Sequence, residues 1–306
     1  MRTVFFILCS IFISIWDANA QCVFKPLDES FIDHRYYSLS YVEKHEQADW
    51  VCYRLTKSMI KGTAQRKDNF KADGKIKTGS AALADYKGSG YDRGHLAPAA
   101  DFKFSQTAVD QSFYMSNMSP QNPSFNRGIW KKLEELMRAW AYEYGTIDIV
   151  TGPIFGSSNS IGNNKVTIPT HYYKAALRKT ELGYEAIAFV LPNKKSQNDL
   201  NFFAQSIDDL EERIQINLFH ELADSEENAV EALYAKNNWI WSTTGLPKLE
   251  SDNKSSQNIT TQQRKSTVKS SDRRTTSVQC RGTTKKGARC KNKTLNGSGF
   301  CHLHDG

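Results

Sequence analysis

Over residues 129–144 the apolar side chains Ile129, Leu133, Leu136, Met137, Trp140 and Tyr144 recur at intervals of three and four. That spacing lines them along one face of a 3.6-residue helix and predicts an amphipathic helix with one buried stripe. Residues 206–214 and 226–239 predict two further helices. Elsewhere the period falls to two or the apolar run becomes continuous. Residues 37–41, 48–55, 147–154, 166–177 and 184–191 are alternating or β-rich, and five strands are expected there. Strands and helices mix without a regular βαβ rhythm, which predicts an α+β fold rather than a doubly wound sheet. Trp50, Trp130 and Trp140 fall at periodic apolar positions and are expected in the core.

The two ends of the chain break this pattern. Arg2 precedes an apolar run over residues 4–16, followed by Ala18-Asn19-Ala20. This reads as a signal peptide, residues 1–20, cleaved after Ala20. The run is short for a membrane span, and no other segment is long and apolar enough to cross a bilayer. The mature protein is therefore expected to be soluble, secreted or periplasmic, without stable membrane association. Residues 21–246 form the body, with composition suited to a globular domain. From 247 to 279 Ser, Thr, Gln, Asn and Lys dominate, as in a solvated basic linker. Residues 280–306 read as a separate small module.

Charge follows the same division. The chain carries a net +7, but residues 251–306 hold twelve Lys and Arg against three Asp and Glu. The tail's surplus exceeds the total, so the body is slightly acidic. Affinity of the body for a polyanion must come from a local patch, while the tail offers diffuse attraction. Loss of Cys9 with the signal segment leaves five cysteines. In an oxidising compartment Cys22 and Cys52 are expected to pair. Cys280, Cys290 and Cys301 cannot all pair with one another. With His304, and His302 as its competitor, they form a Cys₃His set suited to Zn²⁺. The alternative is a disulfide loop with one free thiol. A module this small needs some cross-link, and its Lys and Arg residues suggest a nucleic-acid tether.

The chemistry is concentrated in the body. Asp92-Arg93-Gly94-His95-Leu96-Ala97-Pro98-Ala99 places a histidine after a glycine read as a tight turn, at an exposed strand-to-loop position. A neutral imidazole there is a suitable base near pH 7. Some twenty residues later comes an amide-rich stretch with Asn117, Gln121, Asn122 and Asn126. Ser124 or Asn126 there is a candidate helix cap. The alternative sets Asn126 at the helix entry with its carbonyl oxygen facing a cation, as suits Mg²⁺. Glu134 follows two turns along and Arg138 four residues further, spaced to pair with each other or to serve a metal site and a phosphate. His171 reads as structural on a strand; His34, His45 and His220 have no partner motif.

Several of these segments together resemble one family. They are Asp85-Tyr86-Lys87-Gly88-Ser89-Gly90-Tyr91-Asp92-Arg93-Gly94-His95-Leu96-Ala97-Pro98, the segment from Asn117 to Glu134, Thr151-Gly152-Pro153-Ile154-Phe155, Pro169-Thr170-His171-Tyr172-Tyr173-Lys174 and Ala188-Phe189-Val190-Leu191-Pro192-Asn193. In matching order, over roughly residues 30–245, they resemble the DNA/RNA non-specific endonucleases of the Serratia and endonuclease G types. The resemblance implies a ββα-metal fold, with a mixed or antiparallel sheet flanked by helices, and one Mg²⁺ (or Mn²⁺) site. It assigns His95 as general base and Asn126 as direct metal ligand. Asn117 matches an asparagine near the scissile phosphate, and Glu134 the residue that holds the ion's water. Arg138 matches a transition-state arginine, Arg93 belongs to the signature, and Arg66 aligns with an upstream phosphate-binding arginine. The implied activity is hydrolysis of double- and single-stranded DNA and RNA with little sequence preference, leaving 5′-phosphate ends; a homodimer is an assembly open to it. Two other classes are a catalytically silent extracellular nucleic-acid-binding protein, with the basic tail as its working part, and a phosphodiesterase for small nucleotides or lipids.

Overall fold

The computed structural model describes Cys22, residues 24–26, residues 31–244 and the pairs Val278–Gln279 and Lys293–Thr294. The expected signal segment, nearly all of the linker, and Cys280, Cys290, Cys301 and His304 lie outside the described residues. The strands are β1 (Ile32–Asp33), β2 (Ser38–Val42), β3 (Gln47–Thr56), β4 (Asp92–His95), β5 (Met118–Gln121), β6 (Thr146–Ile154), β7 (Ser160–Ile161), β8 (Val166–Thr167), β9 (His171–Thr180), β10 (Gly183–Pro192) and β11 (Ala204–Gln205). The helices are α1 (Lys57–Ile60), α2 (Leu83–Tyr86), α3 (Gln106–Ser112), α4 (Pro123–Phe125), α5 (Lys131–Tyr144), α6 (Ile207–Ile214) and α7 (Asp224–Ala232).

Seven strands form one sheet in the order β1-β2-β3-β6-β9-β10-β11. Every neighbouring pair in it is antiparallel, so the sheet is antiparallel rather than mixed. Its long strands read as near-continuous apolar runs because both faces are covered. Alternate residues feed two cores. Val51, Tyr53, Leu55, Ile147, Ile149, Ala176, Ile187, Phe189 and Leu191 face α5 and its Leu133, Leu136, Met137 and Trp140. Trp50, Cys52, Val150, Ala175, Leu177, Ala186, Ala188 and Val190 face Ile207 and Leu210 of α6 and Val230 of α7. Trp50, Trp130 and Trp140 are all buried.

Two elements differ from their sequence pattern. The run 166–177 is two strands, β8 and β9, because Pro169 between them has no N–H to donate to a ladder. The helix expected over 226–239 starts at Asp224 and ends at Ala232. Trp239 is drawn instead against Trp140, with ring centroids 4.3 Å apart, in the core on the other face of the sheet. Packing of one large ring there overrides helical spacing. α5 itself stops at Gly145, whose φ of +88° only glycine takes without strain, and β6 begins at the next residue.

Cys22 and Cys52 are joined in a disulfide, with Cα atoms 5.4 Å apart. It ties the start of the body to the centre of β3. The bridge spans a sequence separation of 30, for which chain entropy gives about 3–4 kcal/mol. The double Cys22→Ser, Cys52→Ser variant is expected to lose that much in urea unfolding; an unchanged midpoint would contradict it.

The chain divides into two units, Met1–Asn253 and Lys254–Gly306. In the second, Val278–Gln279 pairs antiparallel with Lys293–Thr294.

Candidate active site

β4 and β5 pair antiparallel beside the main sheet, with Asp92 opposite Gln121 and His95 opposite Met118. The Asp-Arg-Gly-His segment is thus a strand, not a turn. Gly94 makes room of a different kind: a Cβ there would lie 2.1 Å from the buried side chain of Gln121. β5 leads into Asn122, whose side chain accepts from Ser124 N at 2.9 Å and caps α4, with Pro123 in the first turn. The cap is therefore Asn122, not Ser124 or Asn126. Asn126–Trp130 forms a widened π turn in which Gly128 leaves the helical region, and α5 continues from Lys131. Such widened turns recur at functional sites. β4, β5 and α5 make up a ββα unit.

An open cleft of about 680 Å³ lies along this unit. His95, Arg93, Arg66, Asn126, Glu134 and Arg138 all line it, joined by Asp92, Arg127 and Lys131. The basic side chains outnumber the acidic ones, which supplies the local patch that the acidic body requires.

His95 is only 7% exposed, contrary to its expected exposure. Its ring meets Phe113 edge-on at 4.8 Å and lies 6.0 Å from Phe70. Nε2 is sealed inside without a hydrogen-bond partner, which leaves Nδ1 as the nitrogen able to meet the cleft. Burial, then the charges of Arg66 and Arg93, push the imidazole down to about 3, so the ring is neutral at pH 7.

The backbone after His95 is held from both sides. Asn117 Oδ1 accepts from Ala97 N at 2.9 Å, while its Nδ2 donates to Ala97 O at 2.9 Å and Ser112 O at 2.8 Å. Asn117 is fully buried. It does not line the cleft, so the expected place near the scissile phosphate gives way to a clamp behind the base. Opposite, Lys174 Nζ donates to Leu96 O at 3.2 Å.

Asn126 Nδ2 donates to Asp92 Oδ2 at 2.9 Å, which orients the amide and leaves its carbonyl oxygen free of that bond. Arg127 grips the same carboxylate through Nε at 2.9 Å and Nη2 at 2.6 Å. Glu134 is pushed up to about 7 by burial, against the pull of Arg138 and Lys174. The hydrogen-bonding partner of Arg138 is Asp101, at 2.8 Å, rather than Glu134. Tyr53 donates to the other oxygen of Asp101 at 2.7 Å. Arg66 bonds Asp68 at 2.6 Å, and Arg93 lies 4.2 Å over Phe70; both remain exposed.

A model of the DNA/RNA non-specific endonucleases matches residues 19–225. The chain belongs to that family. It is 34% identical over 210 residues to nuclease C1 of Cunninghamella echinulata var. echinulata, covering 63% of this chain and 83% of that protein. Human mitochondrial endonuclease G is 36% identical over 171 residues, covering 51% of this chain and 58% of that one. Matches to the mitochondrial relatives span about three-fifths of their length. The crystal structure of the EndoG/EndoGI complex aligns with a TM-score of 0.60 at 28% identity, over 64% of this chain and 88% of that chain. The family is one of nucleic-acid hydrolases, typically Mg²⁺-dependent, and its ββα-metal architecture accounts for β4, β5 and α5.

The donor set fits such an ion. Asn126 Oδ1 and the Glu134 carboxylate are hard oxygen donors, and no thiol lines the cleft with them to favour a softer metal. Three residues that support the site were given no role of their own from sequence, although Asp92 falls in the signature. Asp92 aims Asn126, Asp101 anchors Arg138, and Lys174 is buried mid-strand between two tyrosines and two alanines. A lysine inside a strand buried on both faces is itself a signal, because an amine is left there only with a partner. Asp92→Ala is expected to lower metal affinity or activity about 10–100-fold by freeing the Asn126 amide. A metal titration of cleavage checks this, and parent-like half-saturation and rate would refute it.

Proposed function

We propose that this protein is a secreted or periplasmic endonuclease that uses Mg²⁺ or Mn²⁺ to hydrolyse DNA and RNA with little sequence preference, leaving 5′-phosphate ends. The observation that carries it is the convergence of His95 and Asn126 on one cleft lined by Arg66, Arg93 and Arg127. Those guanidiniums bind and orient the phosphate and stabilise charge building on it. Neutral His95, with its proton on Nε2, takes a proton from water at Nδ1, and the hydroxide attacks phosphorus as the 3′ oxygen leaves. Asn126, with Glu134, would hold the ion, which when bound neutralises charge on the phosphate as a Lewis acid. A cleft lined by guanidiniums suited to phosphate supports low sequence preference. The signal-like residues 1–20 and the Cys22–Cys52 bridge support export to an oxidising compartment.

Digestion of supercoiled plasmid and of RNA, with Mg²⁺, with Mn²⁺ and with EDTA, tests this reading. Cleavage of both polymers that stops with EDTA and leaves ligatable 5′-phosphates is expected. Metal-independent cleavage, or none, would overturn it.

The basic C-terminal segment is read as a tether, with Cys280, Cys290, Cys301 and His304 as a zinc set. Truncation after Glu250 is expected to preserve turnover while weakening substrate affinity most at low salt. An affinity unchanged across a salt series would remove the tether.

A further inference from the structure

α6 and α7 pack on the face of the sheet opposite the one that carries the catalytic unit. There they bring together Asp208, Glu211 and Glu231, each offering a carboxylate oxygen within 4.8 Å of the others. Asp208 and Glu211 stand three residues apart on one side of α6, and Glu231 lies in the last turn of α7. Glu231 is only 6% exposed, and its Oε1 is buried without a hydrogen-bond partner. Glu211 Oε1 accepts from Leu218 N at 2.6 Å, which fixes that carboxylate in place.

The electrostatics are one-sided. After burial, the groups acting most strongly on Glu231 are Glu211, Glu227 and Asp208, all acidic, and together they push its carboxyl up to about 8. The C-terminal end of α7 adds negative potential of its own. A carboxylate enclosed in such a field persists only by keeping a proton or by sharing a cation. α7 has little else to hold it: its buried positions are Val230 and Glu231.

We propose that Asp208, Glu211 and Glu231 form a structural Ca²⁺ site that fastens α7 to α6, separate from the catalytic ion. The donors are all carboxylate oxygens, which selects a hard cation. Ca²⁺–oxygen distances of about 2.3–2.6 Å put opposite ligands up to about 5 Å apart, and irregular shells completed by water are tolerated. Mg²⁺, with octahedral bonds near 2.1 Å, requires a tighter cluster. Ion binding displaces the proton that Glu231 otherwise shares with Glu211.

Thermal unfolding of the full chain in a CaCl₂ series tests this, with Asn126→Ala included to remove the catalytic ligand. Ca²⁺ is expected to raise the midpoint saturably, by about 5 °C at hundredfold excess over Kd, in both the parent and Asn126→Ala. Glu231→Gln is expected to match or exceed the parent midpoint without Ca²⁺, because an amide need not take up a proton on folding, yet to lose the Ca²⁺ response. Its Mg²⁺-dependent cleavage is expected to equal the parent's. Asp208→Asn, at an exposed position that leaves folding unaffected, is expected to raise half-saturating Ca²⁺ at least about tenfold. No response in the parent, a response retained by Glu231→Gln, or one lost in Asn126→Ala would overturn the site.

Discussion

His95→Ala is expected to lower kcat by about 10²–10⁴-fold, the usual contribution of a positioned base. Substrate affinity should hold, because the phosphate-binding guanidiniums of Arg66, Arg93 and Arg127 remain in the cleft. Gel-shift binding beside single-turnover cleavage measures both; a variant that cuts at the parent rate removes His95 as the base. The pH dependence sharpens the test. Burial, with Arg66 and Arg93, holds the free imidazole down to about 3. In kcat/KM, which reports the free enzyme, the histidine limb is therefore expected well below the ordinary value of about 6.5, separate from the limb near 7 at which Glu134 ionises. A bound phosphate offsets the two guanidiniums, so the limb of kcat is expected at higher pH than that of kcat/KM. Stability follows the same ring. Between about 3 and the unfolded value of about 6.5, the unfolded chain binds the extra proton, so lowering the pH through that window destabilises the fold. His95→Ala should flatten that part of the stability profile. A stability profile between about pH 3 and 6.5 that His95→Ala leaves unchanged would contradict the buried environment.

How much of this was legible in the sequence depended on how local each constraint is. β3, β6, β9 and β10 announce themselves as long apolar runs because the sheet is covered on both faces. The stripe of α5 is equally plain, although regular helix begins only at Lys131, after the widened turn. His95, Asn126 and Arg66 fall in one cleft, because motif order preserves what lies near what. Gly94 was misread because a glycine signals a turn locally, whereas its constraint is the side chain of Gln121, in a strand paired only after folding. Asn117 was placed at the phosphate for want of any signal that Ala97 and Ser112 consume its whole amide. Trp239 was given to a helix because its attraction to Trp140 acts across 99 residues. Asp101 and Lys174 were missed for the same reason: the partners that justify their burial lie 37 and 78 residues away.

Lys174→Met is expected to cost about 3–5 kcal/mol, as when one partner of a buried ionic group is removed. In a domain of this size that lowers the midpoint by about 10 °C. Lys174 is fully buried on β9, donates to Leu96 O and lies 4.8 Å over the ring of Trp130. Burial pushes its amine down to about 8, while Glu134 and Asp101 pull the other way. The lysine therefore does two things that no exposed surface charge does: it holds the carbonyl next to the base, and it shares with Arg138 the carboxylates of Asp101 and Glu134. Without it, Asp101 and Glu134 face one guanidinium, Glu134 keeps its proton to higher pH, and the pH optimum of cleavage moves upward. Lys174→Arg keeps the charge but brings a larger planar group into a filled interior, so it is expected to rescue the optimum only in part. A double-mutant cycle separates this network from simple loss of packing. Glu134→Gln combined with Lys174→Met is expected to be less destabilised than the sum of the singles by about 0.5–3 kcal/mol, because neutralising the acid removes the charge that the missing amine leaves behind. Strict additivity, with no movement of the pH optimum in Lys174→Met, would reduce Lys174 to a packing residue and detach it from the site.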